Sequence, residues 1–506
     1  MLLITQSGRR AHFVTVIALA LVLALVTTTA ALANVTLTQL NTDPYTNSTS
    51  QHKTEVEPDS FSSGSTIVAT TQVGRFNDGG ASNIGWATST NGGSAWTSGQ
   101  LPGLTVFSSP AGPYDRATDP AVAFDAAHNV WLINSLGLTQ NGNSILGAAV
   151  VVNRSTNGGT TWGNAVTVRA VTGNQDFDKN WIVCDDTSTS PFYGRCYVQY
   201  DDFGSGNALH MEYSTDGGLT WTASIVPAVS VIGGQPVVQP NGTVVVPIDS
   251  GNEAAIGSTV STDGGVSYSA ITTITRITDH TVAGNLRSGP LPSAEVDGAG
   301  KVYVVWQDCR FRRGCKSNDI VLTTSTNGTT WTPVVRVPIG ATSDKQDNFI
   351  PGIAVDKSTS GNTAHIAVTF YYYPTAACGG NHQPACQLDV GYISSTDGGA
   401  SWGPFTQLAG PMTLSWLPNT TQGRMVGDYI SSSFSGGLAH GLFAVANAPT
   451  GGSDCATATP NCDQALYTNQ LGLSQLSGVV VTSSGDHPVP NAASDHAAPK
   501  SPITVR

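Results

Sequence analysis

Ser214-Thr-Asp-Gly-Gly-Leu-Thr-Trp221 is one of six copies of a short motif, and the spacing of the copies decides the architecture. The others are Ser89 to Trp96 (STNGGSAW), Ser155 to Trp162 (STNGGTTW), Ser261 to Tyr268 (STDGGVSY), Ser325 to Trp331 (STNGTTW, one residue short) and Ser395 to Trp402 (STDGGASW). Successive starts lie 66, 59, 47, 64 and 70 residues apart. A supersecondary unit recurring at that interval means an array of similar units. Asp or Asn at the third position can accept bonds from backbone N–H groups ahead of it, an Asx-type turn. The glycines that follow take positive φ without a Cβ penalty, so two antiparallel strands can reverse tightly. The closing Trp or Tyr is large and flat and suits the seam beside the turn. None of these positions carries chemistry.

A longer unit surrounds each motif: an apolar strand, a turn, a second strand ending in polar residues, a third entering the motif and a fourth leaving it. The first two are clear in Asp119–Phe124 with Val130–Ser135, Leu291–Val296 with Val302–Trp306, and Ile350–Val355 with Ala364–Tyr371. Short β-rich runs bounded by Gly, Asn and Asp read as strands. Six such units carry the motif. A seventh begins near Met425, with strand-like runs Asp428–Phe434, Gly441–Ala446 and Ala465–Leu471 but no fourth strand. Asn34-Val-Thr-Leu-Thr-Gln-Leu-Asn41 resembles a fourth strand and lies at the other end of the chain.

These turns resemble the Asp-box (BNR) repeats of sialidase-like β-propellers. The resemblance implies an all-β chain of four-stranded antiparallel blades. Seven blades are expected, closed by the N-terminal strand, which would complete the last blade and protect its edges. Six blades, as in true sialidases, is the alternative.

Residues 1–33 read as a secretory signal, with a retained membrane anchor as the alternative: Arg9 and Arg10, an apolar core from Phe13 to Val26, and Ala31-Leu-Ala33 before Asn34. The propeller is expected over 34–473, and the Ser-, Pro- and Ala-rich stretch 474–506 as a loose tail. No later segment has membrane-spanning character. Removing 1–33 takes away two arginines and no acids, leaving 20 basic against 34 acidic residues, or −14. That balance, with no basic stripe, argues against nucleic acid as a partner. All eight cysteines follow the signal in close pairs, Cys184/Cys196, Cys309/Cys315, Cys378/Cys386 and Cys455/Cys462, which suggests disulfides in an exported chain. Zinc is disfavoured because no pair has Cys-x-x-Cys spacing. The protein is therefore expected outside the cell, or in the periplasm of a Gram-negative source, as a monomer with a glycan or glycoconjugate partner. No metal or cofactor is expected.

On a propeller, the loops into each first strand and out of each second strand share one face, where the resemblance places substrate. Sialidase chemistry resembles a fixed kit: arginines clamping a sugar carboxylate, a Tyr nucleophile assisted by Glu, and an Asp acid/base. A guanidinium suits the clamp because its planar donors match a carboxylate bidentately. On this resemblance the leading expectation is a glycoside hydrolase of exo-sialidase type, with Arg116, Arg287 and Arg424 as clamp, Tyr429 as nucleophile, Glu253 as its activator and Asp119 or Asp59 as acid/base. Asp428, Arg310 and Arg75 stand as further substrate contacts. The Phe/Tyr-Arg-Ile-Pro tetrapeptide of true sialidases is absent. Two other functions fit the architecture. A polysaccharide lyase would draw its base from His210, His280, His382 or His440. A non-catalytic propeller binding glycan or protein would present exposed aromatics, with Tyr371-Tyr372-Tyr373 as the candidate platform.

Overall fold

The structure is a computed structural model that describes residues 35–376, 386–450, 454–455 and 462–478. The expected signal 1–33, Cys378, His382 and the stretch 479–506 lie outside the described residues. The chain is all-β and antiparallel, with only four single-turn 3₁₀ segments among the described residues.

Antiparallel meanders follow one another along the chain. The first comprises Gln51–Ser63, Thr66–Arg75, Ala81–Ser89 and Thr97–Gln100. The second comprises Arg116–Asp125, Val130–Asn141, Ser144–Ser155 and Val166–Ala170, and touches the first through Ala81 opposite Ala117. The third runs through Phe177–Cys184, Cys196–Asp202, Ala208–Ser214 and Thr222–Ala223. In the fourth, Val231–Gly234 and Val237–Val238 share the partner Val244–Ser250, followed by Ala255–Ser261 and Thr272–Arg276. The fifth is Ser293–Val296, Val302–Asp308, Asp319–Ser325 and Val335–Arg336. The sixth is Asp347–Val355, Ile366–Tyr373, Gln387–Ser395 and Thr406–Thr413.

The seventh takes its strands from both ends of the chain. Ser431–Ser435, Leu438–Ala446 and Gln464–Asn469 pair in order, and Leu37–Gln39 adds to Gln464–Asn469 with Leu37 opposite Asn469. This explains why the seventh unit lacks the turn motif: the turn would join its third and fourth strands, which are not consecutive.

All six motifs fold alike. The first-position serine accepts a bond from a glycine N–H, as in Gly93 to Ser89 Oγ at 2.9 Å and Gly218 to Ser214 Oγ at 3.0 Å. The third-position Asn or Asp accepts from the backbone ahead, as in Ala95 N–H to Asn91 Oδ1 at 2.9 Å and Ser401 N–H to Asp397 Oδ1 at 2.8 Å. In five copies the Trp indole N–H returns to a glycine carbonyl. Tyr268 replaces it in the sixth and is buried.

Hydrogen bonds join the first strands of successive meanders. Val122 N–H donates to Asp59 Oδ2 at 2.7 Å, Asn180 Nδ2 to the Asp119 carbonyl at 2.9 Å, and Gly233 N–H to Asp201 Oδ1 of the second strand at 3.3 Å. Ala294 N–H donates to Gln235 Oε1 at 2.5 Å, Ile353 N–H to Ser293 Oγ at 3.2 Å, and Ser432 Oγ to the Gly352 carbonyl at 3.2 Å. Ser60 N–H, back in the first meander, donates to Ser431 Oγ at 3.1 Å. The seams between are apolar. Leu132, Leu136 and Val152, for example, pack with Phe177, Ile182 and Val198, each side chain stabilising by about 1.5–3 kcal/mol.

Disulfides join Cys184 to Cys196, Cys309 to Cys315 and Cys455 to Cys462. Cys386 is also disulfide-bonded. Beyond residue 473 the chain is still docked as far as Ser477: Leu476 N–H reaches Ser394 Oγ at 2.9 Å and Ser477 Oγ accepts from Thr396 N–H at 2.6 Å. No helix among the described residues is long and apolar enough to cross a membrane.

The two glycines of one turn should differ in what they tolerate. Both have positive φ, but a Cβ on Gly158 would meet nothing within 4 Å, whereas one on Gly159 would lie 2.7 Å from Val68 Cγ2 of the preceding meander. Gly158→Ala should cost about 1 kcal/mol. Gly159→Ala should cost about 2–4 kcal/mol, the backbone term plus overpacking. Urea midpoints of the two variants check this, and equal losses would refute the packing explanation.

Candidate functional site

Five first strands carry a bulge near their start, between Val56 and Asp59, Thr118 and Ala121, Asp178 and Trp181, Ile232 and Gly234, and Phe349 and Gly352. At each bulge one residue adopts left-handed φ: Glu57, Asp119, Lys179, Gly233 and Ile350. Four of these have a Cβ, so the conformation is strained. A bulge re-aims side chains out of the regular alternation. Here Glu57, Asp119 and Lys179 join Asp428 of the last unit, Arg287 and Arg75 in one buried charge cluster.

Asp428 is its hub. Lys179 Nζ lies 2.5 Å from Asp428 Oδ2, and Arg287 donates Nε–H to Asp428 Oδ1 at 2.6 Å and a terminal N–H to Oδ2. Burial alone would raise the Asp428 carboxyl, but Arg287 and Lys179 hold it well below the ordinary range. Burial likewise works against the Lys179 ammonium, yet Asp428, Asp119 and Asp178 keep it well above its usual value. The surplus carboxyls go the other way. Burial, then Asp119 and Asp428, push Glu57 up to about 8, and burial lifts Asp178 to about 7 despite Lys179. Asp201 is raised by burial and by Asp178. Arg75 is lowered to about 10, chiefly by burial and then by Arg287.

The cavity beside the cluster is small, about 40 Å³, and is lined by Asp119, Lys179, Asn180, Trp181, Asp428 and Tyr429 among others. A second cavity of about 270 Å³ continues along the same strands past Trp181 to Asp59, Asp186, Glu295 and Lys357. Pockets for small molecules usually run from about 300 to 1,000 Å³. The charge cluster itself therefore has room for water rather than a sugar. Among the described residues no group of three or more His, Cys, Asp or Glu side chains could hold a metal ion.

The structure brings some of the sequence-nominated residues together and separates others. Asp119, Asp428 and Tyr429 line one cavity, with Arg287 bound to Asp428. Tyr429 donates its hydroxyl to the Pro120 carbonyl at 3.0 Å and meets Trp181 edge-on at 5.1 Å. Its phenol is raised well above the ordinary value by burial and by Glu57, Asp119, Asp59 and Asp428. Glu253 stands beside Asp249, whose carboxyl it helps raise, and its own carboxylate lies near Gly289. The glutamate close to Tyr429 is Glu57. Arg424 donates to the Leu417 carbonyl and to Asp454 Oδ1, each at 2.8 Å, although its backbone carbonyl accepts from Arg287 N–H. Arg116 is held by Asp78 at 2.5 Å, Gly79 O and Gln140, over the Phe76 ring. Arg310 is tied to Asp308 by two bonds. Arg75 donates to Gly80 O at 2.5 Å and to Met425 Sδ. The three clamp arginines are thus each bound to a different carboxylate, Asp78, Asp428 and Asp454.

Tyr371, Tyr372 and Tyr373 are all buried and offer no exposed platform. His210 stacks on Tyr200, and His280 lies 3.2 Å from Asp347, which raises it against the pull of burial. His440 is fully buried. Lys179 was among the polar residues that the sequence places on the candidate face, whereas Glu57 was not. The signal was the recurrence of Glu57-Pro58, Asp119-Pro120 and Ile350-Pro351 at the same place in three units, marking bulges rather than plain strand starts.

No family model matches this chain, and no curated protein matches it in sequence. Solved structures do resemble it. A protein of unknown function from Dyadobacter fermentans is 18% identical over 71% of this chain and 99% of that one, with a TM-score of 0.44. The intramolecular trans-sialidase of Ruminococcus gnavus is 13% identical over 67% and 95%, with a TM-score of 0.44. The α-L-arabinanase of Penicillium chrysogenum is 12% identical over 71% and 96%, with a TM-score of 0.42. No residue role comes to this chain from them.

Two outcomes follow from the cluster. Asp428→Ala leaves Lys179 and Arg287 buried without their carboxylate and should destabilise by about 3–5 kcal/mol. Arg424→Ala, whose partner Asp454 is exposed, should cost under about 1 kcal/mol. Chemical denaturation ranks the pair, and a reversed order would sink the hub assignment. The second outcome concerns pH. Glu57 binds its proton more tightly folded than unfolded, so its contribution is complete below about 4.5 and is lost as pH rises towards about 8. The urea midpoint should fall across that window, and Glu57→Gln should flatten the fall. An unchanged slope in the variant would show that other groups carry it.

Proposed function

We propose that the seven meanders are the blades of a closed Asp-box propeller. In this reading the protein is exported, monomeric and sialidase-like in architecture, and binds carbohydrate or protein outside the cell without hydrolysing it. Closure is supported by the hydrogen bonds that link the first strands in order and return from Ser60 to Ser431. Export is supported by the signal-like N-terminal stretch and the disulfides, and the acidic balance argues against nucleic acid. The absence of hydrolysis is carried by one observation: Arg116, Arg287, Arg310 and Arg424 are each already bound to a carboxylate of the chain itself. A clamp for a substrate carboxylate needs its donors free.

A second reading, a glycoside hydrolase of exo-sialidase type, has its own support. Tyr429 lines one cavity with Asp119 and Asp428, which supplies a nucleophile and acids, and Glu57 acts on its phenol in the role expected of Glu253. Against it, that phenol is pushed away from ionisation, whereas a working nucleophile needs activation.

Sugar release from a panel of sialosides and uronate polysaccharides, run beside a glycan-binding array, separates the readings. The expected result is binding without release. Free sialic acid lost in Tyr429→Phe and Arg424→Ala would replace this proposal with the hydrolase. Unsaturated uronate products would replace it with a lyase.

A further inference from the structure

A third cavity, of about 390 Å³, lies against the turn Ser155–Trp162 of the second unit. Small-molecule sites usually run from about 300 to 1,000 Å³. This groove is larger than the two cavities described above and shares no lining residue with either. Arg154, Thr156, Thr161, Trp162 and Asn164 form its walls, and no carboxylate is among the lining residues. The chain as a whole carries 34 acidic against 22 basic residues, so a basic groove without acids is an exception on it. An anion approaching there meets a guanidinium rather than like charge.

The turn fixes these walls. Trp162, half-buried, donates its indole N–H to the Gly159 carbonyl at 3.1 Å, and Gly163 N–H donates to the Arg154 carbonyl at 2.8 Å. Arg154 in turn donates Nε–H to the Gly217 carbonyl of the next turn at 2.6 Å. That bond orders the side chain but leaves its two terminal nitrogens without a hydrogen-bond partner among the described residues. Asp216, beside Gly217, is engaged by its own turn: Thr220 donates its N–H and its hydroxyl to it at 2.9 and 2.6 Å. Arg154 therefore differs from Arg116, Arg287, Arg310 and Arg424, each held by a carboxylate. It also differs from Arg195, which reaches the Gly264 carbonyl with a terminal nitrogen and lies against the Phe192 and Tyr213 rings. Asn164 and Thr156 are exposed, and their side chains make no hydrogen bond among the described residues.

We propose that this groove binds a hexuronate, the acidic unit of many polysaccharides, with its carboxylate on Arg154 and its ring on Trp162. The inference rests on the reading of this protein as a carbohydrate binder and gives that reading a ligand and a place. A guanidinium matches a carboxylate with two parallel N–H donors, and the terminal nitrogens of Arg154 form such a pair. Holding the side chain at Nε removes part of the ordering cost of binding. The indole face is electron-rich and suits the C–H face of a pyranose. In a β-glucuronide every ring substituent is equatorial, the carboxylate included. The ring can then lie flat on Trp162 while the carboxylate reaches sideways to Arg154, and the ring hydroxyls meet Asn164, Thr156 and Thr161. An axial carboxylate, as α-sialosides carry at a fully substituted carbon, points out of the ring plane and serves the two contacts poorly. No bond is made or broken.

Ligand-observed NMR titrations of the folded protein with methyl β-glucuronoside, methyl β-glucoside and methyl α-sialoside test this. The glucuronoside should bind at least about tenfold more tightly than the glucoside, as one charge-assisted contact gives. Raising salt to about 0.5 M should narrow that gap. Arg154→Gln should abolish it, and Asn164→Ala, with an unchanged thermal midpoint, should weaken the glucuronoside by about threefold. Equal binding of glucuronoside and glucoside, or a gap kept by folded Arg154→Gln, would overturn the proposal. A sialoside that binds more tightly than the glucuronoside would do the same. Should Arg154→Gln fail to fold, unaltered glucuronoside binding by Asn164→Ala would overturn it equally. Glycans captured on an array by wild type and both variants alike would remove the groove and leave the carbohydrate-binding reading standing. No glycan and no probe bound by the wild type would remove both.

Discussion

Adjoining sheets crowd the space a Cβ would need at one glycine of each turn, and the arrangement of the whole chain hangs on that close approach. Gly159 sits on Val68 and Thr88, Gly218 on Leu132, Gly265 on Tyr197, Gly328 on Val245 and Val260, and Gly399 on Leu322. Each seat belongs to the preceding unit. Gly93, in the first unit, sits on His440 of the last. The same contact therefore recurs from unit to unit and returns to its start. The turn also satisfies its own polar atoms through the serine, the Asn or Asp and the indole N–H. It can then be pressed against a neighbour without stranding buried donors.

Packing the units edge to edge brings their first strands together, and the bulges then decide what those strands present. Left-handed φ at Glu57, Asp119 and Lys179 is a local cost, sustained by the sheets on either side. In return it places charges where water is scarce. Such charges persist only when paired, and Asp428 pairs with both Lys179 and Arg287. Burial pushes the Glu57 and Asp178 carboxyls upward instead, towards the protonated form. The two cations bound to Asp428 are thus neutralised within the chain itself. The same holds further out, where Arg116, Arg310 and Arg424 have each found an acid. A surface built to seize an anionic sugar would leave some of these groups waiting.

Much of the architecture was legible in the sequence because its determinants are local. A serine and an Asn or Asp two residues later, followed by glycines and a Trp, define a turn whose bonds span at most a few residues. Close cysteine pairs needed only short loops to meet, and Cys184–Cys196, Cys309–Cys315 and Cys455–Cys462 did. Even the pairing of Leu37 with Asn469 could be anticipated, because a unit short of one strand and a spare strand elsewhere imply each other.

The site was a different matter. The sequence determined the kinds of charged residue available and the loops they leave from. It could not determine that Glu57 rather than Glu253 would stand near Tyr429, or that Arg287 and Arg424 would turn to different carboxylates. Those choices depend on contacts across hundreds of residues and on half-turns of backbone at single bulge positions. Hydrophobic periodicity and turn chemistry are carried by neighbours in the chain. Ion pairing in a buried cluster is decided by which groups the packing of the sheets leaves within reach of one another.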